Sequence, residues 1–185
     1  MQTEIEMRAR FDQATHDRLI AFLHAHGEDL GQDDKHIYFY VLPDQLLKVV
    51  DNIAAGTAKI SLKGNKIGRG AAFPELEIPI QRGDAARAVQ LFNALGLEET
   101  MHDAFNQRHN FRYQGVEIAV KWSEAWGHHA EFEVLLDGQP NEVQHAEAAG
   151  LIRRVAGELG VELMSEDQLA AFVRAFEEAR AGSSG

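Results

Sequence analysis

What most limits the fold of this chain is a run of short segments in which apolar and polar residues alternate strictly. Successive side chains of a strand point to opposite faces, so each such segment reads as a half-buried strand. In the first, Glu4, Glu6, Arg8 and Arg10 face one way and Ile5, Met7, Ala9 and Phe11 the other. Residues 36–41 set Ile37, Phe39 and Val41 against His36, Tyr38 and Tyr40, and residues 46–50 read as a further strand. Lys59, Ser61 and Lys63 oppose Ile60 and Leu62, and residues 75–80, 108–113, 116–122 and 131–135 continue the pattern. Helices are expected from Thr15 to about His26, from Asp84 to about Leu95, from Asn141 to about Leu159 and after Ser165. Thr15, Asp84 and a Ser165/Gln168 box would cap them, and Gly27 and Gly96 would stop the first two. The sum is one α+β domain over residues 1–176 with an antiparallel sheet and a flexible tail at 177–185.

Glu-x-Glu occurs on three of these strands, as Glu4/Glu6, Glu75/Glu77 and Glu131/Glu133. Residues i and i+2 stand about 7 Å apart on one face, so each pair sets like charges together. One such pair is ordinary on a solvated face. Three pairs gain meaning because other strands carry cations at matching positions: Arg8, Lys48, Lys59, Lys63, Arg108, Arg112 and Lys121. One sheet surface then packs under helices, and the other is a shared polar surface. Curled into a barrel, that surface becomes an interior lined with both signs. Burying so many charges is costly unless they pair or bind something. A polyphosphate with a hard divalent cation would satisfy both sets, because carboxylates hold Mg²⁺ or Mn²⁺ and Lys/Arg neutralise phosphate.

Composition removes other classes. With 18 Lys+Arg against 29 Asp+Glu the net charge is −11, which argues against nucleic acid as a partner. Zero cysteines exclude thiol catalysis and cysteine-held metals. No apolar run has the length of a membrane span, and the first residues lack a signal layout, so a cytoplasmic location is expected. Gly64, Gly68 and Gly70 lack the Gly-Lys-Ser/Thr of a phosphate loop and read as a connection. His24 and His26 do not converge on a helix, and His128 and His129 point to opposite faces of a strand, so neither pair suggests zinc. Trp122 and Trp126 read as packing residues, and Glu28-Asp29 with Asp33-Asp34 as a solvated loop.

The opening Glu4-Ile5-Glu6-Met7-Arg8 resembles the ExExK signature of the CYTH, or triphosphate tunnel metalloenzyme, family, which includes class IV adenylate cyclases and thiamine triphosphatases. The order of later segments strengthens the resemblance over roughly residues 3–172. Lys35-His36-Ile37-Tyr38-Phe39 is similar to the family's Asp-x-Tyr-Phe strand, and Leu47-Lys48-Val49-Val50 to its Leu-Arg-Ile-Arg stretch. Ile60-Ser61-Leu62-Lys63-Gly64 resembles the Thr-x-Lys strand, Glu75-Leu76-Glu77 the Glu-x-Glu strand, and Arg108 the next basic position. Trp126-Gly127-His128-His129-Ala130-Glu131-Phe132-Glu133 is similar to the Leu-Gly-x-Phe-x-Glu-x-Glu ending. Four departures stand out: Arg8 replaces a Lys, Val50 an Arg, Lys121 an Asp and His36 an Asp.

The resemblance implies a closed antiparallel eight-stranded β-barrel with flanking α-helices, a tunnel, Mg²⁺ or Mn²⁺, and a triphosphate-containing small-molecule substrate. By position, Glu4, Glu6, Glu131 and Glu133 become metal candidates. Arg8, Lys48, Lys63 and Arg108 become phosphate ligands, with Arg112 as a further cation and Glu75 and Glu77 lining the tunnel. Glu4, Glu6, Arg8 and Lys63 are the expected catalytic core. The expected reaction is metal-dependent hydrolysis of inorganic or organic triphosphate by a monomer or homodimer. Cyclisation of ATP to cyclic AMP and pyrophosphate is the alternative on the same fold, and a phosphate-ligand binder without turnover is the alternative to enzyme function.

Overall fold

A computed structural model describes residues 2–64 and 72–181. Its strands are β1 (Gln2–Arg10), β2 (Glu28–Gln32), β3 (Lys35–Val41), β4 (Leu46–Asn52), β5 (Thr57–Lys63), β6 (Ala72–Ile80), β7 (Met101–Tyr113), β8 (Val116–Ser123) and β9 (Gly127–Asp137). The helices are α1 (Gln13–His26), α2 (Ala85–Phe92), α3 (Glu142–Glu158) and α4 (Glu166–Ala181). Gly68 and Gly70, read above as part of a connection, lie outside the described residues.

All strand pairings are antiparallel, in the order β2-β7-β3-β4-β5-β6-β1-β9-β8. The long β7 serves three neighbours. Its first half pairs with β3, and its second half pairs with β2 and, on the other edge, with β8. Strand twist accumulates across a sheet of this width, and the sheet curls around a concave face.

Apolar alternation decides which face meets the helices. Ile5, Ala9, Phe111, Ile118, Val120 and Phe132 pack against Leu19 and Leu23 of α1 and Ile152 and Val155 of α3. On the other half of the sheet, Tyr40, Val49 and Ala58 pack under Ala85, Val89 and Phe92 of α2. Truncating a wholly buried side chain such as Phe132 to Ala costs about 3–5 kcal/mol.

Several expectations shift. Asp12 rather than Thr15 caps α1, its carboxylate accepting the Thr15 N–H at 2.8 Å. Gly27 ends that helix by turning extended, and a side chain has no room there, since a Cβ would lie 2.9 Å from the Leu23 carbonyl oxygen and 3.2 Å from that of Arg112. Asp84 makes no side-chain cap and pairs with Arg87 instead; beyond Phe92 the helical path continues as a wider turn from Asn93, and Gly96 breaks it as expected, with φ of +84°. The boxes at Asn141/Gln144 and Ser165/Gln168 both form. The acidic loop is corrected: Glu28–Gln32 is a strand on the edge of β7, bulged between Asp29 and Gly31. The helix α4 runs to Ala181, past the expected start of the tail. In β3 the helix-facing side holds Tyr38 and Tyr40, because Tyr40 can bury its ring against Phe92 while its hydroxyl bonds Asn93 at 3.1 Å. Ile37, Phe39 and Val41 are thereby turned to the concave side. Among the described residues no helix is long and apolar enough to cross a membrane.

Candidate functional site

The concave face encloses a cavity of about 1310 Å³. Its wall divides into two arcs. From β5 through β6, β1, β9 and β8 to the second half of β7 it is charged, with Lys63, Glu75, Glu4, Glu6, Arg8, Glu131, Glu133, Lys121 and Arg108 all lining the space. Along β3, β4 and the first half of β7 it is more apolar, with Ile37, Phe39, Val41, Leu46, Val50 and Ala104 interrupted by Lys35, Lys48, His102 and Asn106. Trp126 and Phe172 of α4 complete the lining, their rings 4.5 Å apart.

Cross-strand register builds two electrostatic centres in the charged arc. In the first, the Lys63 ammonium lies 3.1 Å from both Glu4 oxygens and 3.4 Å from Glu6. Glu75, opposite Lys63 on β6, adds a longer contact at 4.0 Å and pairs with Lys48 at 3.4 Å. In the second, Glu131 is surrounded by cations: Arg8 at 3.0 Å, Lys121 at 2.9 Å and Arg108 at 3.6 Å. Arg8 bridges the centres through its Nε, 2.5 Å from Glu6, and its guanidinium lies 5.1 Å from the centroid of the Trp126 ring, a cation–π contact. Asp33, just past β2, holds Arg108 from outside at 3.4 Å.

Between the centres stands a row of carboxylates. Glu133 lies directly opposite Glu6 on β1 and Glu117 on β8, an arrangement unfavourable for like charges. Burial pushes the Glu133 carboxyl up to about 7, with the Glu6 charge adding to the effect. Burial also raises Glu4, which hydrogen-bonds Glu6. Burial would raise Glu6 as well, but Arg8 and Lys63 outweigh it and hold that carboxyl low. Glu131 is buried too, yet Lys121, Arg8 and Arg108 keep it well below the usual carboxylate range. Burial lowers Lys121 to about 8 against the pull of Glu131, aided by the nearby Arg108 and Arg8 charges. Removing one member of such a buried group costs about 3–5 kcal/mol, because its partners are left charged and unpaired.

The structure thus brings Glu4, Glu6, Arg8, Lys48, Lys63, Glu75, Arg108, Glu131 and Glu133 to one cavity. Glu77 is half exposed at its rim, paired with Lys59. Arg112 is not brought there: it pairs on the surface with Glu28 at 3.1 Å and Glu117 at 2.6 Å. Trp122 and Trp126, expected only to pack, both line the space. Sequence reasoning missed Asp33 and Asn106. Asn106, whose Nδ2 is buried with no hydrogen-bond partner among the described residues, gave no signal beyond its place on a strand. His128 and His129 do take opposite faces: His129 lines the cavity, and His128 packs edge-on against His16, with ring centroids 4.8 Å apart.

No protein-family model and no curated protein matches this sequence, but solved structures do. The PH1012 protein of Pyrococcus horikoshii OT3 superposes with a TM-score of 0.69 at 24% identity, over 90% of this chain and 99% of that one. A candidate adenylate cyclase of Vibrio parahaemolyticus gives 0.64 at 16% identity, over 92% and 98%. A candidate adenylyl cyclase of Hippeastrum, HpAC1, with a dominant triphosphatase activity, gives 0.62 at 17% identity, over 95% and 96%. At such identities the likeness is one of fold.

Proposed function

We propose that this chain, whose fold is that of the CYTH-type tunnel proteins, hydrolyses an organic triphosphate with the help of a divalent cation, inside a barrel closed by the pairing of β7 with β8. One observation carries the reading: two carboxylates converging on an ammonium, beside a carboxylate surrounded by three cations, on the wall of a single cavity.

The donors suit a hard cation. Glu4 and Glu6 already converge on the positive charge of Lys63, and they offer only carboxylate oxygens, which Mg²⁺ and Mn²⁺ favour. Mg²⁺ is commonly held by one or two carboxylates, with substrate phosphate and water completing its shell. Glu131 does not fit that role, since three cations occupy its surroundings. When bound, the ion would supply Lewis-acid neutralisation of phosphoryl oxygens and a more acidic water.

The protein's own groups do the rest. Charge in phosphoryl transfer spreads over the three equatorial oxygens, so catalysis is largely positioning and electrostatics. Arg8 and Arg108 present planar donor forks to those oxygens, and Lys48, Lys63 and Lys121 act as point charges. Glu131 fixes Arg8, Arg108 and Lys121 in place, and Trp126 backs Arg8. Glu133 is the general base: it makes no ion pair among the described residues, and a carboxyl raised toward neutral pH accepts a proton from the attacking water effectively. The apolar arc takes the organic group, with the unpartnered Nδ2 of Asn106 as its polar contact.

Phosphorus NMR of the reaction with ATP and with tripolyphosphate, in Mg²⁺ or Mn²⁺, tests this. Orthophosphate release that stops on chelation is expected. Pyrophosphate with a cyclic nucleotide would move the assignment to a cyclase, and no turnover of any triphosphate across metals would overturn it. Tight binding without turnover would favour a non-catalytic binder.

A further inference from the structure

We propose that a second metal site, for a transition metal of the Zn²⁺ or Co²⁺ kind, lies outside the cavity where His24 of α1, Asp29 of β2 and His109 of β7 meet. Their ligand atoms all lie within 4.8 Å of one another. His24 Nδ1 is 3.1 Å from one Asp29 oxygen, and His109 Nε2 is 2.7 Å from the other. Ligands at about 2.1 Å from one tetrahedral ion stand about 3.4 Å apart, so small side-chain rotations bring this set to bonding distance.

The three groups are held in place before any ion arrives. The His109 ring stacks on Phe111 at 4.5 Å with planes 9° apart, and the His24 ring meets both His109 and Phe111 edge-on at 4.9 and 5.0 Å. Asp29 accepts the Gly31 N–H at 2.8 Å, across a bulge that Gly31 closes with φ of +95°. His24 lies in the last turn of α1, where the helix dipole favours a cation. Two imidazoles with one carboxylate suit Zn²⁺, Co²⁺ or Ni²⁺ rather than Mg²⁺, and leave a position for water. The site differs in kind from the all-carboxylate pair in the cavity and does not depend on the reading of that pair. His109 also faces the opposite side of β7 from Arg108, so an ion here would tie α1 to the β2–β7 ribbon.

The test is a titration of chelator-stripped protein with Co²⁺ alone, in a large excess of Mg²⁺, followed by visible d–d absorption. One equivalent of tetrahedral cobalt is expected. His24→Ala and Asp29→Asn should each weaken it about tenfold or more, while Glu4→Gln/Glu133→Gln leaves it intact. Zn²⁺ should raise the melting temperature of the native protein and not of His24→Ala. His24 and Asp29 are exposed at the surface, so both variants should fold, as circular dichroism will verify. No tetrahedral band, a band unchanged in His24→Ala, or a band lost only in the glutamate double variant would overturn the assignment.

Discussion

The two arcs of the cavity are built from the same kind of strand, yet they spend their inward positions differently. On β1, β9, β8 and the second half of β7, register sets charge beside charge until Arg8, Arg108 and Lys121 close on Glu131. On β3 and β4 the same positions hold Ile37, Phe39, Val41, Leu46 and Val50, with Lys35 and Lys48 as the charged exceptions. Charge that is buried and paired fixes groups in space at a cost in desolvation, whereas an apolar wall adapts to shape and binds by area. The charged arc therefore suits a phosphate chain of one geometry, and the apolar arc an organic group.

Breaking the charged arc should have the largest effect. Arg8→Met is expected to lower kcat/KM by about 10²–10³-fold, and to lower the denaturation midpoint because Glu6 and Glu131 lose a partner. Next, Glu133→Gln should lower kcat by about 10²-fold or more with little change in triphosphate affinity by calorimetry. A KM change alone would remove Glu133 from the chemistry. Phe39→Ala sharpens the contrast from the other side: KM for an organic triphosphate should rise about tenfold, while tripolyphosphate turnover holds. Equal losses on both substrates would mean that the arcs do not divide the labour.

A pH series separates the pairs by stability. Lys48 and Lys63, with a hydrogen bond from Ser61, overcome the burial of Glu75 and hold its carboxyl down to about 2. A depressed carboxyl contributes stability above its unfolded value near 4.5 and loses it as pH falls toward 2. Glu75→Gln should thus be less stable than the native protein at pH 7, with the gap closing between pH 4.5 and 2 in thermal melts. The smallest effect is reserved for Arg112→Ala: its pairs with Glu28 and Glu117 are exposed and screened by solvent, so the melting temperature should barely move and turnover should be unchanged.

The alternation of Glu4, Glu6 and Arg8 against Ile5, Met7 and Ala9 was enough to place one face in the cavity, because period two survives folding. Register was not legible, since it depends on which strands pair and where. Nothing local to residues 121 and 131 says that they meet on a diagonal. Lys121, a departure from the resembled pattern, turns out to be a member of the cation set around Glu131. The edge strand β2 was hidden because its polar Glu-Asp-Leu-Gly-Gln run has no apolar face to bury, and with it went Asp33. The face assignment of β3 turned on Tyr40, whose hydroxyl finds its partners at Val89 and Asn93 on the helix side. His24, Asp29 and His109 carry no shared spacing at all: only the pairing of β2 with β7 brings them together.

The division of the cavity is tested most directly by a crystal soaked with Mn²⁺ and a non-hydrolysable nucleoside triphosphate, read through the manganese anomalous signal. An anomalous peak against Glu4 and Glu6, with phosphate oxygens on Arg8, Arg108 and Lys121 and the nucleoside along Ile37 and Phe39, is the predicted result. Manganese found away from both glutamates, or a nucleotide bound only on the outer surface, would contradict it.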